Sequence, residues 1–238
     1  MSEHQTHSLT PWEAEAAQRI TTDPAAIRTL FPAVGRKVGR AVLRPDSDPQ
    51  GLVHGTEDDL TRIGLLGVLA SVCSPTRLAT EIADLYRYGD DAERRGVLRG
   101  LDVLTSVQEP GEERDRLVDA ALILVRDALR ANDVRLVAAA MGPFAGRHLD
   151  AHTWRHGVLK CLFTGVPLAA VAALAERTDA ELLRMIEDYA AERRAAGREV
   201  PADALDLIGG PGPEPADRPS GPHTDQPSEP TQDQGRQH

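Results

Sequence analysis

Apolar residues return along this chain at intervals of three and four, the period of an amphipathic helix, and most of these runs are bracketed by capping residues. Thr10-Pro11-Trp12-Glu13 has the form of a capping box with proline at the first helical position. Asp23-Pro24 repeats that start, so the pattern predicts helices over 11–21 and 24–38, the second broken near Pro32. Residues 44–55, rich in Pro, Asp and Gly, read as a loop. Thr56 then caps a helix whose first turn holds Glu57, Asp58 and Asp59, with Leu60, Ile63, Leu66, Leu69 and Ala70 as its apolar side. Ser74-Pro75 opens the next, with Leu78, Ile82, Leu85 and Tyr86 facing inward.

Gly89 is read as a left-handed helix end and Asp90 as the cap of the helix that follows, whose stripe is Val97, Leu98, Leu101 and Leu104. A helix over 112–131 carries Leu117, Val118, Ala121, Leu124, Val125 and Ala128. Residues 133–147 form one helix with Leu136, Val137, Ala140, Met141 and Phe144, and 150–163 another with Trp154, Val158 and Leu162. Gly165-Val166-Pro167 turns the chain into a short helix over 168–174, and Thr178-Asp179-Ala180-Glu181 is a further capping box opening a helix over 179–196 that Gly197 ends. A last turn or two falls within 201–208.

No segment alternates as a strand does. Helices joined by tight corners predict an all-α fold, an irregular HEAT-like α-solenoid of stacked antiparallel hairpins. The expected organisation is a short N-terminal helical segment (1–22), one all-helical domain (23–208) and a tail (209–238). That tail holds 7 of the 17 prolines and a single aliphatic residue, Ala216, so it is expected to be disordered.

Composition narrows the chemistry. Aromatics are 3% of 238 residues, so the core must be built from Leu, Val, Ala and Ile. A net charge of -10 argues against a nucleic-acid partner. The N-terminus lacks the basic and apolar regions of a signal peptide, and the longest uncharged runs fall short of the ~18 apolar residues of a membrane span. A cytoplasmic location is the expectation. Cys73 and Cys161 lie in apolar runs, as buried thiols do in a reducing compartment. Arg28, Arg36, Lys37, Arg40 and Arg44 form a basic strip, either an anion-binding strip or, the favoured reading, a solvated face meeting acidic surface elsewhere.

Several segments in order, Phe31–Arg40, Leu85–Leu101, Val125–Asp150, Trp154–Leu168 and Met185–Pro201, resemble the EboA family from about Leu30 to Ile208. The resemblance implies a product of a bacterial gene cluster that also encodes a UbiA-like prenyltransferase, a TatD-like hydrolase and isomerase-like and dehydroquinate-synthase-like enzymes. In some photosynthetic bacteria that cluster is tied to moving a secondary-metabolite precursor across the inner membrane. The resemblance supplies no catalytic residues.

The candidate sites therefore come from the residues alone. Tyr86, Arg87 and Asp90 make one polar corner, and Arg130, Asn132 and Asp133 another. In stacked hairpins these corners share an edge, where they would frame a groove with Lys160 nearby. Each has a structural account too: Arg130 suits a negative helix end, Asn132 a left-handed C′ position and Asp133 a cap. His148, His152 and His156 are four apart, and Asp150 or Cys161 would have to join them to hold a metal. Lys160, one of two lysines, is either an amine for Schiff-base chemistry or a snorkelling side chain. No nucleotide, hydrolase or metalloprotease motif is present, and no cofactor is expected. The favoured reading is a non-catalytic scaffold or binding protein working with its cluster's enzymes on a small hydrophobic metabolite. The other readings are a metal- or lysine-dependent enzyme using the segment from His148 to Lys160, and a protein-only adaptor.

Overall fold

The computed structural model describes residues 9–209. Twelve α-helices account for most of them. They are α1 (Pro11–Thr22), α2 (Ile27–Val38), α3 (Glu57–Val72), α4 (Pro75–Tyr88), α5 (Asp91–Ser106), α6 (Glu112–Ala128), α7 (Val134–Ala140), α8 (Pro143–His148), α9 (Ala151–Thr164), α10 (Leu174–Arg177), α11 (Ala180–Ala195) and α12 (Ala202–Gly209). Among the described residues the only β pairing is an isolated antiparallel bridge between Val42 and Thr56. Gly209 closes α12, and residues 210–238, all but the first of the expected tail, lie outside the described residues.

From α3 to α9, beyond neighbours in sequence, the helices pack each on the next but one. α3 lies on α5, α5 on α7 and α7 on α9, while α4 lies on α6 and α6 on α8. α1 and α2 cover α3, and Ala16, Ile20, Ile27 and Phe31 join the core, so the N-terminal segment is part of the same packed body.

The capping signals translate directly into bonds. Thr10 and Glu13 close a reciprocal box at α1, Thr56 and Asp59 another at α3. Asp90, Asp133, Asp150 and Asp179 accept from the first-turn amides of α5, α7, α9 and α11. Every expected inward residue of α4 and α5 is buried. Gly197 takes a left-handed φ of 66° at the end of α11.

Other expectations fail for local reasons. Pro32 does not break α2; burial of Phe31 and Val34 on either side holds the helix through the lost hydrogen bond. The helix foreseen over 133–147 is two, because Pro143 has no N–H to continue α7 and instead opens α8. The one over 168–174 is a 3₁₀ turn at Leu168–Ala170, and α10 starts later. Thr178 is not the cap of α11; its hydroxyl bonds the Leu174 carbonyl and Asp179 caps alone. Gly89 is extended, φ -75°, and its value is steric: a Cβ there would sit 2.5 Å from the Leu85 carbonyl and 2.8 Å from Glu93 Cβ. On α3 the expected Leu66, Leu69 and Ala70 are buried, but Leu60 is exposed while Thr61, Arg62 and Leu65 turn inward.

Candidate functional site

Residues 39–56 do not swing free. Asp48, buried, accepts the backbone N–H groups of Leu52, Val53 and His54 at 2.9, 3.0 and 2.7 Å, which folds the loop into a compact turn. Arg99 of α5 donates to the carbonyls of Gly51, Leu52 and Val53 and fastens that turn to the helix stack. The Val42–Thr56 bridge closes the loop's base.

Beneath it lies a buried ionic cluster. Asp58 and Asp59 from the first turn of α3 meet Arg62 one turn on and Arg95 and Arg99 from α5. Asp58 bonds Arg62 at 2.5 Å, Arg95 bonds Asp59 at 2.8 Å, and Arg99 Nε lies 3.3 Å from Asp59. Thr56 ties the groups together, donating to Asp58 at 2.5 Å and accepting from Arg95 at 3.1 Å. Burial alone would raise the Asp58 pKa, but the Thr56 hydroxyl and the Arg62 guanidinium hold it below the ordinary value. Burial lowers that of Arg99. Arg62 is fully buried, lies over the Phe31 ring at 5.4 Å, and its Nη2 has no hydrogen-bond partner.

Through Thr56 and Arg95 this cluster reaches a cleft of about 340 Å³. Three helix starts and the loop line it: Thr56 before α3, Asp90, Asp91, Ala92 and Arg95 at α5, Asp133 and Arg135 at α7, and Arg40, Val42 and Gln50 from the loop and the residues leading into it. Arg40 lies 3.7 Å from Asp90 across the mouth. Elsewhere in the basic strip Arg28 pairs with Glu81 and lies 3.8 Å from Asp84.

Of the candidate residues, Asp90 and Asp133 line this cleft. The others do not line it. Tyr86 is buried and donates to Asp127 at 2.9 Å, and its pKa is driven up by burial and then by that carboxylate. Arg87 is exposed over the Tyr88 ring. Arg130 and Asn132 are exposed in the turn after α6. Asn132 is not left-handed, because α6 ends at Ala128 and tight turns through Arg130 and Ala131 already satisfy its last carbonyls.

The His148–Lys160 segment is divided between two helices. His148 stacks on Phe144 at 4.7 Å, and burial, then Arg147 and Arg114, lowers its pKa. His152 and His156 lie on α9 with ring centroids 4.2 Å apart, and His156 Nδ1 is 2.9 Å from the His152 carbonyl. Asp150 is occupied as a cap, and the buried Cys161 thiol is pushed up to about 12 by burial. Lys160 is half-buried. Among the described residues no three His, Cys, Asp or Glu side chains gather as a metal would need. Trp154 is core, with Arg177 4.8 Å from its ring. Cys161 is a buried thiol as foreseen, whereas Cys73 is only half-buried.

A second cavity, of about 360 Å³ and mostly apolar, lies between α1 and α3, lined by Leu9, Ala17, Leu60, Ile63 and Val68 with Glu13 and Thr61 at its polar end. Among the described residues no helix is long and apolar enough to cross a membrane.

Sequence reasoning singled out Arg40 only within the basic strip, and missed Gln50, Thr56, Arg95 and Arg135 as cleft residues. The one local signal was the i, i+4 repeat of Asp58 with Arg62 and of Arg95 with Arg99, which reads equally well as solvated charge.

Comparison with known proteins adds a family. Neither the curated proteins nor the solved structures return a match. The family described as metabolite traffic protein EboA matches residues 82–209, more than half of the chain, covering the α5 and α7 walls of the cleft but not its loop. The chain belongs to the EboA family.

Proposed function

We propose that this protein is a non-catalytic binding protein of metabolite traffic, a cytoplasmic HEAT-like stack of helical hairpins that holds a small metabolite in the corner cleft. In this reading it works with enzymes encoded beside it and approaches the membrane through a membrane-bound partner. The observation that carries the reading is the cleft itself. Two helical corners and an anchored loop converge on a concave space of about 340 Å³, within the usual range for small-molecule sites. From α3 to α9, the packing of each helix on the next but one supports the repeat-like architecture.

The test is capture from the native host. Tagged chain is purified gently, and its bound small molecules and proteins are identified by mass spectrometry, beside a variant carrying Arg40→Ala and Arg135→Ala. A metabolite retained by the wild type and lost by the variant supports the reading. A metabolite retained equally by both moves the site elsewhere and overturns it, as does the absence of any retained metabolite.

A further inference from the structure

We infer that the cleft recognises a small polyhydroxylated oxyanion, a compound joining one carboxylate or phosphate to several hydroxyl groups. The inference rests on the reading that the cleft holds a metabolite, and names its chemical class. Its ground is the balance of unused donors and acceptors on the cleft wall.

The donors are guanidinium groups from three separate elements. The Arg135 side chain makes no hydrogen bond or ion pair with the described residues. Arg40 has only Asp90, at 3.7 Å, with both side chains more than half exposed. Arg95 is fixed by Asp59 and Thr56 through Nε and Nη2, leaving Nη1 outside those bonds. A planar guanidinium held from behind is a preorganised partner for carboxylate or phosphate, because little side-chain entropy remains to be lost.

The same wall carries three carboxylates, so a bare anion is a poor complement. Asp133 spends only Oδ1 on its cap, and Oδ2 makes no hydrogen bond. Asp90 likewise caps through Oδ1 while Oδ2 faces Arg40. Asp91 adds a third carboxylate, and Gln50 both a donor and an acceptor. Carboxylate oxygens take hydroxyl donors readily and repel anions. A ligand that places its charge among Arg40, Arg95 and Arg135 and its hydroxyls on Asp90, Asp91 and Asp133 satisfies both sets.

A hydrophobic ligand in this cleft would strip water from these groups and return no bonds, leaving each of them desolvated and unpaired. The expected hydrophobic metabolite therefore does not suit this wall. The apolar surface is gathered instead between α1 and α3.

Titration calorimetry on the full chain tests the class with defined probes: gluconate, glucose 6-phosphate, sorbitol and inorganic phosphate. Gluconate or glucose 6-phosphate should bind at least tenfold more tightly than sorbitol or phosphate, and whichever of the two binds tells carboxylate from phosphate. Arg135→Gln removes the free guanidinium. Asp133→Asn keeps a good cap but loses the charge. Each should weaken binding at least fivefold with the melting temperature unchanged. Sorbitol or phosphate binding as tightly as the hydroxylated acids overturns the inference, as does an affinity unmoved by Arg135→Gln. If no probe binds but native-host capture still yields a metabolite that the arginine variant loses, the class is wrong and the cleft stands. If neither gives a ligand, both fail.

Discussion

The α3–α5 and α7–α9 contacts use the same device for bringing two helices together and fill it with opposite chemistry. In each, a glycine on one helix admits a long side chain from the other. A Cβ on Gly96 of α5 would run into Arg62 Cδ of α3, and one on Gly157 of α9 would run into Met141 Sδ at the end of α7. Met141 is an apolar plug, fully buried in the core. Arg62 is a buried cation answered by Asp58, in a cluster that reaches the cleft through Thr56 and Arg95. Chemistry thus separates a contact that only packs from one whose geometry the candidate site inherits. A flexible thioether can shift to suit its neighbours. An arginine held by Asp58 and the Phe31 carbonyl cannot move without unpairing charge.

The largest effects should come from cutting the ionic contact on one side. Asp58→Ala leaves Arg62 buried without its carboxylate and is expected to cost about 3–5 kcal/mol, read from the denaturant midpoint. Met141→Leu, a volume-conserving swap in the matching apolar contact, is expected to cost less than about 1.5 kcal/mol. If the two cost the same, the distinction between the contacts is lost. Acid should act the same way. The lowered Asp58 pKa means its stabilisation is complete above the ordinary carboxylate range and is lost as pH falls through its folded value. Wild type should therefore lose stability with acid more steeply than Asp58→Ala.

The glycines sharpen the comparison at smaller cost. Gly96→Ala forces Arg62 off its partners, and its Cβ also comes within 3.1 Å of Arg62 Cβ. The expected penalty is about 1–3 kcal/mol even after alanine's better helix propensity. Gly157→Ala meets the mobile end of Met141, which can rotate away, and should cost less than about 1 kcal/mol by thermal unfolding. The reverse order would mean that Met141, not Arg62, is the rigid partner.

These two contacts also mark how far the sequence could be read. Local chemistry was legible. Thr10, Asp90, Asp133, Asp150 and Asp179 announce helix starts because a cap is decided within three residues, and the stripes of α4 and α5 needed only period. The ionic cluster was not. Asp58 and Asp59 have a complete local explanation as first-turn carboxylates, and nothing near them reveals arginines some 36 residues away on α5. The polar residues buried in the first turns of α3 follow from the same pairing, since Arg62 meets Asp58 and Thr61 meets Glu13 there. Of the candidate site, the corners at Asp90 and Asp133 were legible through helix counting. The loop that completes it was not, because its fold depends on Asp48 gathering three amides and Arg99 fastening the result.

A comparably small effect lies at the cap of α9, beyond either contact, and tests whether the α7–α9 side is as insensitive to charge as its packing implies. Asp150 accepts from the Thr153 amide at 2.8 Å and its hydroxyl at 2.7 Å, with Arg126 3.5 Å away. The amide bond first, then the hydroxyl, holds its pKa down to about 2. Asp150→Ala should cost about 1 kcal/mol at neutral pH, the usual worth of such a cap. Because the folded pKa is depressed, that contribution is fully present above the ordinary carboxylate pKa of about 3.9 and fades as pH falls toward 2. Urea titrations of wild type and variant at pH 7 and pH 3 measure it, and the gap should narrow at the lower pH. A gap that is unchanged would mean that packing of Trp154 and its neighbours, not the carboxylate, secures the start of α9. The charge-free character of this side would then extend to its caps.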